Sequence, residues 1–212
     1  MTHPSPSAAW AALEAGNERF VAGVPEHPRQ DVERRGDLVG GQSPFVAIFG
    51  CSDSRLAAEI VFDLGLGDAF VVRNAGQVAS DSVLGSLDYA VGVLGVSLIV
   101  VLGHDECGAV RTAIDSQSPD APQLSPNVDH LIRPIVPAVR RVAGAEGFGP
   151  VDVSRIDALA VGREHLRDTV DDLLAGSAVI RTAVTDGTLG LVGANYRLSE
   201  GRAIADVKIG LD

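Results

Sequence analysis

Two short stretches, Cys51-Ser52-Asp53-Ser54-Arg55 and His104-Asp105-Glu106-Cys107, carry the residue types that hold a metal. Two thiols, one imidazole and one carboxylate are donors that zinc accepts in tetrahedral geometry. These stretches contain both cysteines of the chain and one of its five histidines. Cys51 and Asp53 stand two apart, so an extended turn can aim both at one point. His104 and Cys107 have the H-x-x-C spacing that a turn or helix start presents to one side. Each pair alone is a weak signal; the two together, each following an apolar run, are a stronger one.

Charge counting adds a mechanism. Zinc with two thiolates and a neutral histidine is close to neutral. Asp53 as a fourth ligand closes the site and leaves it negative. Asp53 held off by two parallel hydrogen bonds from Arg55 opens the fourth position to water. Zinc lowers the pKa of such a water from ~15.7 towards ~7, so zinc-bound hydroxide is a nucleophile at neutral pH. Asp53 and Arg55 then read as a gate.

Each residue also has a plainer reading. Asp53 could cap the helix that follows it, Arg55 could lie on the surface, and His104 could bond to backbone in a core. Cys51 could pack as a small hydrophobe, and the two cysteines could form a disulfide. A cysteine phosphatase loop needs a longer spacing than the three residues separating Cys51 from Arg55 and Cys107 from Arg111. No G-x-G-x-x-G joins a strand to a helix, so a dinucleotide fingerprint is missing.

The two stretches must be positioned by the elements before them. Phe45–Phe49 and Leu98–Leu102 are apolar runs that read as buried strands, delivering the Cys51 and His104 turns. Between them lie a short helix over 57–64, a strand over 69–74 and a helix over 80–94. Another helix follows from about Gly108 to Ile114. Strand, helix, strand, helix, strand at this spacing implies parallel strands with crossover helices. Sites in such sheets form beyond the carboxyl ends of the strands. Upstream, Trp10, Leu13, Phe20 and Val21 mark an amphipathic helix over 8–22, and polar residues 29–44 read as a loop. Downstream come a Pro/Ser-rich loop over 116–126, a helix over 127–143 bent by Pro134 and Pro137, and helices over 154–175 and 177–186. Strands over 189–196 and 203–209 form a hairpin at the sheet edge. The expected fold is α/β: a central, mostly parallel sheet flanked by helices, with an antiparallel edge strand and an N-terminal helical arm. Residues 1–212 form one domain, and residues 1–7 are expected to be a disordered tip.

The 212 residues carry a net charge of -11, which argues against nucleic acid and against an anionic membrane surface. The N-terminus lacks a signal-peptide pattern. The longest apolar segment, around Val91–Leu102, is broken by glycines and a serine and is too short to span a bilayer. A cytoplasmic location is expected, where two cysteines are more often free or metal-bound than paired.

Three blocks taken together, Cys51-Ser52-Asp53-Ser54-Arg55, Phe70-Val71-Val72-Arg73-Asn74-Ala75-Gly76 and Gly103-His104-Asp105-Glu106-Cys107-Gly108, resemble the β-class carbonic anhydrases. Leu13–Phe20 is similar to that family's N-terminal helix, and Gly187–Tyr196 to its last strand. The resemblance implies one zinc per chain on Cys51, His104 and Cys107, and reversible hydration of carbon dioxide to bicarbonate and a proton. It implies Asp53 and Arg55 as the catalytic dyad, with Asp53 as fourth ligand in a closed state. It places Gln42, Phe70 and Tyr89 in the substrate pocket, partly across a dimer interface, and implies a homodimer or homotetramer. Trp10 and Phe20 then pack either on a neighbour or on their own domain. Ile48 stands where members with bicarbonate-regulated closure have tryptophan, so that pocket is expected to be incomplete although Arg73 is present. Ala75 stands where plant-like members often have valine, so the pocket is expected to be slightly wider. Relatives with this site also hydrolyse carbonyl sulfide or carbon disulfide, and a non-catalytic zinc- or bicarbonate-binding protein is the third reading. None of His3, His27, His130 and His165 is near the motif in sequence, so no proton shuttle is identified.

Overall fold

The two strongest apolar runs become the two central strands. A computed structural model describes residues 3–145 and 151–211. β1 (Val46–Cys51) and β3 (Leu98–His104) are buried at every position. They sit side by side in a five-stranded sheet of order β2-β1-β3-β4-β5, with β2 at Ala69–Asn74, β4 at Gly190–Arg197 and β5 at Arg202–Ile209. β1 pairs in parallel with both β2 and β3, and β3 with β4, whereas β5 returns antiparallel along β4. Strands buried on both faces need apolar residues at consecutive positions, which is why these runs do not alternate.

Helices cover both faces. One face packs α1 (Pro6–Ala22), α3 (Ala58–Val61), α5 (Gly108–Asp115), α6 (Pro126–Ile132) and α7 (Val136–Val142) over Val46, Ile48, Val100 and Leu102. The other packs α4 (Asp81–Gly92), α8 (Ala158–Gly176) and α9 (Ala178–Thr185) over Ala47, Phe49, Ile99 and Val101. Chain order and sheet order diverge after β2: the chain passes β1 and lays β3 on its other side. The carboxyl ends of β1 and β3 therefore flank the point where the winding reverses, which is where open α/β sheets form sites.

α1 packs on its own chain. Trp10 is 3% exposed, meets Phe62 edge-on with ring centroids 6.5 Å apart, and has Lys208 Nζ 5.5 Å above its ring. Phe20 also leans on this core. Asn17 locks the helix from within: Nδ2 donates to Val61 O and Gly201 O, and Oδ1 accepts from Ala203 N. Gly16 lets the helix approach this closely, since a Cβ there would lie 2.0 Å from Phe62 O.

Several expectations are corrected. The disordered tip over 1–7 does not hold at its inner end: Ser5 caps α1 and Pro6 and Ser7 form its first turn, while Met1 and Thr2 lie outside the described residues. The loop over 29–44 contains a helix, α2 (Val32–Asp37), capped by Asp31. It buries none of its residues, so it left no apolar period to read. The helix over 127–143 is broken by a 3₁₀ turn at Arg133–Ile135, because Pro134 has no N–H to continue the ladder. Among the described residues no helix is long and apolar enough to cross a membrane.

Candidate metal centre

Cys51 and His104 are not in turns beyond the strands but are the last residues of β1 and β3. Gly50 pairs with Leu102, so the two strands end in near register. Cys107 follows as the N-cap residue of α5. The ligand atoms of Cys51, His104 and Cys107 all lie within 4.8 Å of one another, and all three residues are buried.

This set fits zinc. The two Sγ atoms are 4.0 Å apart, and a tetrahedral zinc with Zn–S bonds of about 2.3 Å needs about 3.8 Å. The cysteines are free thiols, so the disulfide reading fails. His104 Nδ1 is 2.7 Å from Asp105 O, a carbonyl that can only accept, so Nδ1 carries the hydrogen. Nε2 is then a bare lone pair, buried without a hydrogen-bond partner among the described residues. A second nitrogen tied to a carbonyl is the usual arrangement of a metal-binding histidine. Asp105 is fixed in turn, its N–H donating to Tyr196 O and its Oδ1 accepting from Leu198 N.

The two thiols lie within hydrogen-bonding reach of each other, and that contact polarises the pair. Donation from Cys107 lowers the Cys51 pKa, with His104 and the N–H of Gly76 adding to the effect. The same bond, together with burial, raises Cys107. Burial opposes a charged His104, but the neighbouring Cys51 thiolate outweighs it and raises the imidazole pKa.

Asp53 stands at the edge of this cluster, with Oδ2 4.0 Å from His104 Nε2. It does not cap α3, whose N-cap is Ala57. Arg55 holds both of its oxygens, Nε to Oδ1 at 2.9 Å and Nη2 to Oδ2 at 2.8 Å, and the Arg55 N–H also donates to Oδ1. This grip keeps the carboxyl well below the usual carboxylate range. Arg55 Nη2 is anchored to Glu106 O as well.

Three supports escaped the sequence reading. Arg73 donates to Cys51 O at 3.0 Å and Asp53 O at 2.8 Å, bracing the backbone that carries both side chains. Gly76 N–H donates to Cys51 Sγ at 3.3 Å. Asn74 closes the turn around it, accepting from Val78 N and donating to Val78 O. Asn74 and Gly76 sit in the Arg-Asn-Ala-Gly string that begins with the last two residues of β2, and that polar tail on an apolar strand was the signal available in sequence.

The remaining predicted residues lie elsewhere in this chain. Phe70 and Tyr89 meet each other, with ring centroids 6.1 Å apart. Phe70 is four residues before Asn74, the partner of Cys51, a distance of about 13 Å along a strand. Gln42 is exposed, ahead of the opposite end of β1.

The carbonic anhydrase family model matches residues 46–203 of the chain. A protein named carbonic anhydrase 2 from Mycobacterium tuberculosis is 47% identical over 215 residues, spanning 99% of this chain and 97% of its own. The chain belongs to the β-carbonic anhydrase family. A carbonic anhydrase from Mycolicibacterium smegmatis is 46% identical, over 95% of this chain and 94% of its own. Among solved structures, the β-carbonic anhydrase CcaA superposes with a TM-score of 0.66 at 25% identity, covering 92% of this chain and 94% of its own. A tetrameric β-carbonic anhydrase of Sordaria macrospora shares the fold with a TM-score of 0.69 at 23% identity, covering 95% and 98%. Members of this family are zinc lyases, and Cys51, His104 and Cys107 are the residues here that fit the metal.

Proposed function

We propose that this β-carbonic anhydrase hydrates carbon dioxide reversibly to bicarbonate and a proton. The observation that carries the reading is the buried Cys51, His104 and Cys107 set beside a carboxylate, Asp53, held by Arg55. Zinc, when bound, lowers the pKa of a water it holds to about 7 and polarises it for attack on the substrate carbon. The chain's own residues do the rest. Cys51, Cys107 and His104 Nε2 would hold the metal. Asp53 Oδ2 keeps lone-pair capacity beyond its bond to Arg55 and accepts a hydrogen from the nucleophile, which orients it. Arg55 holds Asp53 by its two carboxylate oxygens, and a released Asp53 would be free to ligate the metal and close the site.

The substrate pocket is completed by Gln42, Phe70 and Tyr89 of a second copy of the chain. In support, β2 is an outer strand of the sheet. Tyr89, packed beside Phe70, keeps 45% of its surface exposed. The Sordaria macrospora protein that shares this fold is tetrameric, which is consistent with a pocket built between copies.

The test is stopped-flow carbon dioxide hydration by zinc-loaded protein from about pH 6.5 to about 9, the range in which a polarised water ionises. Activity that rises with pH is the expected result. A protein with one zinc per chain and no hydration anywhere in that range would sink the proposal. Turnover of carbonyl sulfide or carbon disulfide by the same sample would then identify a hydrolase, and inactivity on all three a binding protein.

A further inference from the structure

The metal's neighbourhood extends to α8, whose His165 has no part in the reaction described above. His165 is 2% exposed, and burial lowers its pKa, so the ring is neutral. Its Nε2 lies 2.7 Å from Gly76 O, and a carbonyl only accepts, so Nε2 carries the hydrogen. Nδ1 is buried with no partner among the described residues. One turn further along, the Thr169 hydroxyl reaches His165 O at 2.9 Å and Gln77 O at 3.3 Å. Helix α8 therefore touches two successive carbonyls of one turn, and that turn delivers Gly76 N–H to Cys51 Sγ at 3.3 Å.

The turn has little room to move. Gly76 has φ +81°, and a Cβ there would come within 2.8 Å of Ala109 Cβ on α5. The peptide that His165 holds and the peptide that donates to Cys51 meet at the Gly76 Cα. A displacement of the Gly76 carbonyl moves the shared Cα and carries the N–H with it.

We propose that His165 is a positioning residue for the metal. It holds Gly76 O so that Gly76 N–H points at the Cys51 sulfur. An N–H···S bond favours the ionised thiolate and draws electron density from it, which tunes how the ligand binds metal. The orphaned Nδ1 is the desolvation cost of keeping a donor at this place. This inference rests on the zinc reading of Cys51, His104 and Cys107.

The 212-residue chain, loaded with zinc(II) or cobalt(II), tests it. Two readouts are needed besides activity: zinc affinity by chelator competition, and the thiolate-to-cobalt charge-transfer band. His165→Leu keeps the bulk and removes the donor. It is expected to weaken zinc binding by about 10-fold or more and to shift the band. His165→Gln, whose amide reaches about as far as Nε2, is expected to restore both. Leu166→Ala opens the core at the next residue of α8 without touching the hydrogen-bond chain, and is expected to leave the band in place. Wild-type affinity and band in His165→Leu would overturn the proposal. So would an equal band shift in Leu166→Ala, or no rescue by Gln. If His165→Leu does not fold, His165→Asn, too short to reach Gly76 O, replaces it against the same Gln variant. A wild-type chain that binds neither metal would instead bring down the zinc reading itself, and this inference with it.

Discussion

The Arg55 guanidinium donates two hydrogen bonds to Asp53 and a third to Glu106 O, so its removal loosens a carboxylate whose Oδ2 is 4.0 Å from His104 Nε2. Arg55→Ala is therefore expected to keep its zinc and to lose carbon dioxide hydration by on the order of 10²-fold. Zinc content by atomic absorption, measured beside stopped-flow turnover, checks both halves. A variant that turns over normally would refute the gate. His104→Ala is expected to behave differently. It deletes a buried donor from the ligand set, so zinc stoichiometry after dialysis should fall well below one per chain and activity should fall with it. The contrast would separate the residues proposed to hold the metal from those proposed to manage its fourth position. Both kinds were legible as residue types at short spacing. Gly76 and Arg73 showed only as parts of a polar string at the end of a strand, because residue type does not say that a backbone N–H reaches a sulfur or that an arginine reaches carbonyls.

At the scale of elements, α1 is attached through Asp63, the residue just after α3 and its cap, whose side chain is 1% exposed. Burial alone would raise its pKa, but Glu26 N–H, the Arg19 guanidinium and His27 N–H more than offset that and hold it below its ordinary value. A depressed folded-state pKa contributes stability that is present above the unfolded value and lost as pH falls through the folded one. Asp63→Asn is expected to cost about 2 kcal/mol at neutral pH. The gap to wild type should narrow as pH drops below ~3.9. Denaturant melts of both proteins from neutral to acid pH read this, and a gap that widens in acid would contradict it. Element boundaries show the limits of pattern reading here. Strands β1 and β3 announce themselves through unbroken apolar runs. Helix α2 is held by its cap and by Arg34 reaching Leu66 O, with no buried face to create a period.

For the whole molecule, the proposed pocket needs two chains. A His104→Ala chain retains Gln42, and a Gln42→Ala chain retains the ligand set. If Gln42 serves the neighbour's site, unfolding and refolding the two inactive chains together should restore activity to about a quarter of wild type, since half of random dimers are mixed and each carries one complete site. No recovery, with mixed oligomers demonstrated by tagged pull-down, would place Gln42 outside the partner's pocket.

The sequence alone determined the ligand chemistry and the alternating strand and helix pattern, because both are written in residue types at local spacing. It also implied that sites would gather at the carboxyl ends of parallel strands. The tertiary structure decided which ends meet. Sheet order β2-β1-β3-β4-β5 sets Cys51 beside His104 although β2 lies between them in the chain. It also decided the surroundings of the metal. His165 meets Gly76 across 89 residues and Leu198 meets Asp105 across 93. Such contacts arise only when packing brings distant backbone together, and no periodicity along the chain records them.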